Sequence, residues 1–172
     1  PTSSIEISYK ISGGDWSKLP LAGTMGMKFS EGDFTYQVTQ PASSTTEGKV
    51  QLTGLSAEGK AKSEIELPDT VNETKITNAT YKVTGLKSGA FKASSIKSVD
   101  LAKAANIKSI PSNTFNGCKN LTTVKLNSVI KSIGSSAFAG CTSLKTFATG
   151  KATASIGSKA FSGCTKLQSV TL

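Results

Sequence analysis

From Ile110 onward the chain repeats one pattern every 23 residues. The same residue types return in register: Ile110, Ile133 and Ile156; Phe115, Phe138 and Phe161; Cys118, Cys141 and Cys164; Leu121, Leu144 and Leu167. One copy is too short to bury its own apolar side chains, so the copies must stack as coils of a solenoid. Each marker then meets its own kind in the next coil. The core becomes a set of columns: one of Ile, one of Phe, one of Cys and one of Leu.

A period of about 20–29 residues with this apolar spacing marks a leucine-rich repeat solenoid. Val124 and Leu126 alternate with Lys125, which predicts a strand with alternate side chains inward. Strands of successive coils then pair in parallel, about 4.8 Å apart. The part of each copy around Phe-x-Gly-Cys carries small residues and a glycine turn, and predicts a short helical turn on the opposite side. Upstream, Leu86 to Phe91 keeps the spacing of Ile133 to Phe138 in a degenerate first coil, with Ser94 in the Cys position. The extra length between Leu101 and Ile110 is placed in a loop at Lys103 to Asn106. Phe147 stands where Val is expected and Thr149 where Leu is expected, so that strand is the least regular.

The remainder reads as strands. Ile5, Ile7, Tyr9 and Ile11 alternate with polar residues, and Thr24 to Phe29 suggests a second strand. Trp16 reads as a core residue, with sugar stacking as its alternative. Phe34, Tyr36 and Val38 define a strand, Val50 and Leu52 another, and Ile65 and Leu67 a third stopped by Pro68. These three form a meander expected to cover the open face of the first coil, as a solenoid requires. The fold class is therefore mostly β: an unassigned β segment over 1–30, a β-meander cap over 31–80, and a leucine-rich repeat solenoid of about four coils over 81–172. The chain begins at Pro1 and stops at Leu172 on the last position of a repeat, which reads as a piece of a longer protein whose signal and anchor lie outside it.

Composition narrows the function. Residues 1–100 hold 11 lysines and 11 acids, whereas residues 101–172 hold 9 lysines and no acid, so the net charge of +9 resides in the repeats. There is no Arg and no His. Nucleic-acid readers depend on the bidentate Arg fork, so nucleic acid is not an expected partner. The lysines serve either to solvate the solenoid or to attract an acidic polymer such as an anionic glycan. No run approaches the ~18 apolar residues of a membrane span.

Catalysis is not expected. The lack of His removes the usual general base and the Ser-His and Cys-His pairs. The single cysteine per copy lacks the paired spacing of a zinc site. Free Cys is among the most buried residue types, so Cys118, Cys141 and Cys164 are expected as a reduced, packed column. Glu64 and Glu66 share one face of a strand and read as solvated. No cofactor is expected.

The segment Ile-Gly-Ser-Ser-Ala-Phe-Ala-Gly-Cys-Thr-Ser-Leu-Lys-Thr-Phe (133–147) and its copies resemble the BspA-type leucine-rich repeat proteins of bacterial and protozoan cell surfaces. The resemblance covers roughly residues 63–172 and includes the element Leu67-Pro68-Asp69-Thr70-Val71. It implies an extracellular or cell-surface, non-enzymatic adhesion module that binds a large partner. Such a partner is an extracellular matrix protein, another host surface protein or an anionic glycan. A structural stalk that displays another domain is the alternative. The candidate contact surface is the outward side of the ladder strands: Ser98, Asp100, Thr123, Lys125, Thr146, Ala148, Ser169 and Thr171. It is small and polar, without an aromatic anchor of the kind that usually dominates an interface.

Overall fold

The structure is a computed structural model that describes residues 23–43, 45–74 and 79–171. The expected strand at 4–12 and Trp16 lie outside the described residues. In chain order the elements are β1 (Lys28–Glu31), β2 (Phe34–Gln40), β3 (Gly48–Leu55), α1 (Ala57–Lys60), β4 (Glu64–Glu66), β5 (Thr70–Glu73) and β6 (Ala79–Leu86). The repeats follow with β7 (Ser98–Asp100), β8 (Ser109–Ile110), β9 (Thr123–Lys125), β10 (Ser132–Ile133), β11 (Thr146–Ala148), β12 (Ser155–Ile156) and β13 (Ser169–Thr171).

The first sheet has the order β1-β2-β3-β6-β5. Its strands β1, β2 and β3 form an antiparallel meander, and β6 joins β3 in parallel. Tyr36, Val38, Val50, Leu52, Tyr81 and Val83 are buried along its inner face. Phe34 meets Phe91 edge-on, with ring centroids 6.3 Å apart, so this sheet closes the near end of the Phe column. The expected third strand of the meander, around Ile65, lies elsewhere. As β4 it pairs in parallel with β7 and forms the first rung of the solenoid ladder. The reason is in its pattern: Ile65 and Leu67 point inward where Val124 and Leu126 do in a later coil. The connection between β3 and β4 contains the short helix α1, capped by Ser56, whose Oγ accepts from the Gly59 N–H at 3.1 Å. A side chain at Gly59 would run into the Asp33 carbonyl, which explains the glycine.

The coils stack as the period demands. Phe91, Phe115, Phe138 and Phe161 form one column, with successive centroids 5.2, 5.1 and 5.4 Å apart and rings nearly parallel. Two sets of parallel ladders hold the coils together. On one side β8, β10 and β12 pair in register, Ile110 beside Ile133 beside Ile156. On the other, β4, β7 and β9 pair, as do β11 and β13. The pairing is interrupted between β9 and β11, where Phe147 replaces the Val of its neighbours. Its ring packs against Phe138 and Phe161, 4.9 and 4.8 Å away, instead of standing in the narrow Val column.

The expected helical turn is a run of tight i→i−3 bonds. Cys118, Cys141 and Cys164 N–H groups each donate to the Phe carbonyl three residues before. Alternate N–H groups of the same turn donate forward to the next coil: Phe91 to Thr114, Phe115 to Ala137, Phe138 to Ala160, at 2.7–2.9 Å. The turn needs a left-handed residue at Gly117, Gly140 and Gly163, with φ of 73–76°, and the first coil places Ala93 there at φ 56°. Coils approach so closely that a Cβ on Gly134 would lie 2.5 Å from the Ser112 nitrogen.

The added length after Leu101 is tied down by Asn127, which is buried. Its side-chain N–H groups donate to the Ala104 and Ile107 carbonyls at 2.6 and 3.1 Å, and its Oδ1 accepts from the Val129 N–H. Asn106 also donates to Asp69 across the loop at 2.8 Å.

The cysteines are free thiols in one column, each donating to a Phe carbonyl of the preceding coil at 3.0–3.2 Å. Ser94 continues the column, 3.3 Å from the Cys118 sulfur. Cys118 and Cys141 are buried, but Cys164 is only partly so, because no described coil covers it. The expectation of three packed thiols therefore holds for two. Burial pushes the Cys118 thiol up. The neighbouring Cys164 thiol, together with burial, holds the Cys141 thiol above the ordinary range.

Three outcomes follow from this packing. Phe138→Ala is expected to cost roughly 3–5 kcal/mol in urea unfolding, as for other buried Phe truncations; a loss under about 1 kcal/mol contradicts the column. Ala93→Gly should stabilise the fold by up to about 1 kcal/mol in the same assay, because it relieves a left-handed alanine. A thiol reagent should label Cys164 in the native protein, and Cys118 and Cys141 only after denaturation, which mass spectrometry of tryptic peptides reads directly.

Candidate functional site

The ladder face is built by β4, β7, β9, β11 and β13, whose middle residues point inward and whose flanking residues point out. Ile65, Val99 and Phe147 are buried, Val124 is partly so, and Val170 at the far rung is 38% exposed. A period of 2 fixes the outward set once the middle residue is inward. Glu64, Ser98 and Thr123 stand in one register, and Thr146 with Ser169 continues it beyond the break. Glu66, Asp100 and Lys125 form the second, continued by Ala148 with Thr171. Thr123, Lys125, Thr146, Ala148, Ser169 and Thr171 are exposed, while Ser98 and Asp100 are half-buried.

The two charged residues read from the sequence prove to be partners. Lys125 Nζ lies 3.2 Å from Asp100 Oδ2. The backbone N–H of Ala102, with Lys125 and Lys103 nearby, holds the Asp100 carboxyl below the usual carboxylate range. Lys103 in turn pairs with Glu66 at 2.7 Å. Exposed pairs of this kind contribute little to stability. Their effect is to leave the face with a local charge cluster at its first rungs and neutral hydroxyls beyond.

Glu64 and Glu66 extend this face by one rung, and the sequence reading did not place them on it. The signal was present: Glu64-Ile65-Glu66-Leu67 has the form of Thr123-Val124-Lys125-Leu126. It was masked by the absence of a Phe and Cys upstream, since the capped helix Ala57–Lys60 stands there instead of a repeat turn.

No group of three or more His, Cys, Asp or Glu side chains gathers in a way that could hold a metal among the described residues. No helix among them is long and apolar enough to cross a membrane. The arrangement presents charged pairs at the first rungs and short side chains beyond them, over a continuous core.

Residues 84–172 match the family described as BspA type leucine rich repeat region, in 6 copies. No curated protein matches the chain. Among solved structures, the chain is similar to a leucine-rich repeat protein from Bacteroides capillosus ATCC 29799, with a TM-score of 0.61 and 19% identity over 84% of this chain and 96% of that one. It is also similar to a leucine rich cell surface protein from Faecalibacterium prausnitzii A2-165, with a TM-score of 0.59 and 22% identity over 88% of this chain and 44% of that one. The pneumococcal vaccine antigen PcpA gives a TM-score of 0.58 and 14% identity over 85% and 49%. The chain thus spans under half the length of the last two. With the match extending over more than half of the sequence, the chain belongs to the BspA-type leucine-rich repeat family.

Proposed function

We propose that the chain is a non-enzymatic, cell-surface interaction module that binds a large protein through its ladder face. The partner class is an extracellular matrix protein or another host surface protein. The observation that carries this reading is the face itself: two runs of parallel strands, β4-β7-β9 and β11-β13, present short polar side chains outward beyond the charged pairs of the first rungs. Stacked coils of this kind bind by extended area. The cell-surface protein of F. prausnitzii and the pneumococcal antigen share the fold, which supports placement outside the cell.

A second reading, a structural stalk, is favoured by a specific feature of the same face. Asp100 and Lys125 satisfy each other, and the outward residues include no aromatic to serve as an anchor. The two readings part in one experiment. The full chain is immobilised and matrix proteins are passed over it in a surface plasmon resonance panel. Under the interaction reading at least one binds, and Thr123→Tyr or Thr146→Tyr weakens it about tenfold or more, equivalent to about 1.4 kcal/mol. Both variants keep strand propensity while adding bulk. Binding unchanged by both moves the contact off the ladder, and no binding by any protein of the panel favours the stalk.

A further inference from the structure

Between the Cys column and the ladder strand, each coil makes a short turn. Its inward residues are the Cys or its equivalent and the following Leu or Ile, so the residues between and just after them face outward. In the second coil Cys118 and Leu121 are buried, while Lys119, Asn120 and Thr122 are exposed. The geometry repeats: Leu121, Leu144 and Leu167 N–H groups each donate to the Cys carbonyl three residues before. Neighbouring turns are also locked in register. Thr122 N–H donates to the Lys97 carbonyl at 2.8 Å, Gln168 N–H donates to the Lys145 carbonyl at 2.8 Å, and Thr142 Oγ1 donates to the Lys119 carbonyl at 3.3 Å.

In every coil this strip carries one lysine: Lys97, Lys119, Lys145 and Lys166. All four are exposed, and none has an ion pair among the described residues, in contrast to Lys103 and Lys125. No acid stands in the strip in any coil, and its other outward residues are Ser, Thr, Asn or Gln. Coils stack about 4.8 Å apart, so the lysines form a staggered row along the solenoid axis. Such a row, free of counter-charges among the described residues, concentrates a linear polyanion.

We propose that this strip docks a sulfated polysaccharide laid along the axis, with its sulfates on the four ammonium groups and its hydroxyls on the interleaved Ser, Thr, Asn and Gln side chains. Lysine presents a point charge, which suits a tetrahedral sulfate without requiring the planar fork of Arg. The strip has no aromatic side chain on which a base could stack, so it lacks the platform that single-stranded nucleic acids use. It borders the ladder face but shares no residue with it, so the proposal does not rest on the protein partner proposed above.

The test uses the full chain, a heparin oligosaccharide and a single-stranded oligonucleotide of equal charge. Lys119→Gln, Lys145→Gln and Lys166→Gln are combined in one variant. A control combines Lys108→Gln, Lys131→Gln and Lys151→Gln, three exposed lysines outside the strip whose removal changes the net charge equally. Thermal melts of both establish that the fold is kept. The strip variant is expected to lose heparin affinity tenfold or more and to flatten the dependence of log K on log salt, while the control stays within about threefold of wild type, since only neutralised contacts contribute to the slope. A third variant with Arg at the three strip positions should retain binding. The proposal is overturned if the wild type does not bind heparin, if strip and control variants lose affinity equally, or if the oligonucleotide binds as tightly as heparin and with the same dependence on the strip.

Discussion

The structure depends on the stacking of like residues across a spacing fixed by backbone hydrogen bonds. A parallel ladder holds successive coils about 4.8 Å apart, and Phe rings packed face over face fill that spacing almost fully, as the 5.1–5.4 Å centroid distances of the column show. The same constraint explains the small residues. Where a coil's backbone meets the one before it, at Gly134 on Pro111 and Ser112, there is no room for a Cβ. Large side chains are thereby confined to the interior columns, and the exterior of each coil is left to Ser, Thr and Lys.

The repeats were legible because each marker recurs where its environment recurs. Phe115, Phe138 and Phe161 occupy equivalent surroundings, so the period alone places them. What escaped the sequence lies where the environment changes. Ile65 belongs to the ladder, yet the turn that should precede it is replaced by α1, and the strand therefore looked like part of the first sheet. The parallel pairing of β3 with β6 joins segments separated by β4 and β5, and nothing local in either strand announces a partner so distant. The doubt over Phe147 was justified, since the ladder breaks beside it.

The candidate face was legible to the same extent. Alternation set which residues point outward, and the register set which stand side by side. What alternation could not show was pairing between rungs. Asp100 and Lys125 come from different coils, and only their register reveals that one neutralises the other. The fifth rung, with Glu64 and Glu66, depended on recognising β4 as a coil without its usual turn.

The forward bonds of the turns have an electrical consequence. Phe91, Phe115 and Phe138 all send their N–H groups the same way along the axis, and so do Ala93, Gly117 and Gly140. Their peptide dipoles add instead of cancelling, as they do in an α-helix. One flank of the solenoid therefore resembles a broad helix laid across the coils, with its positive pole at the last coil, beside Phe161 and Gly163. The negative pole lies at the first coil, against the first sheet, where the Ala90 carbonyl stands beside Gly54 of β3.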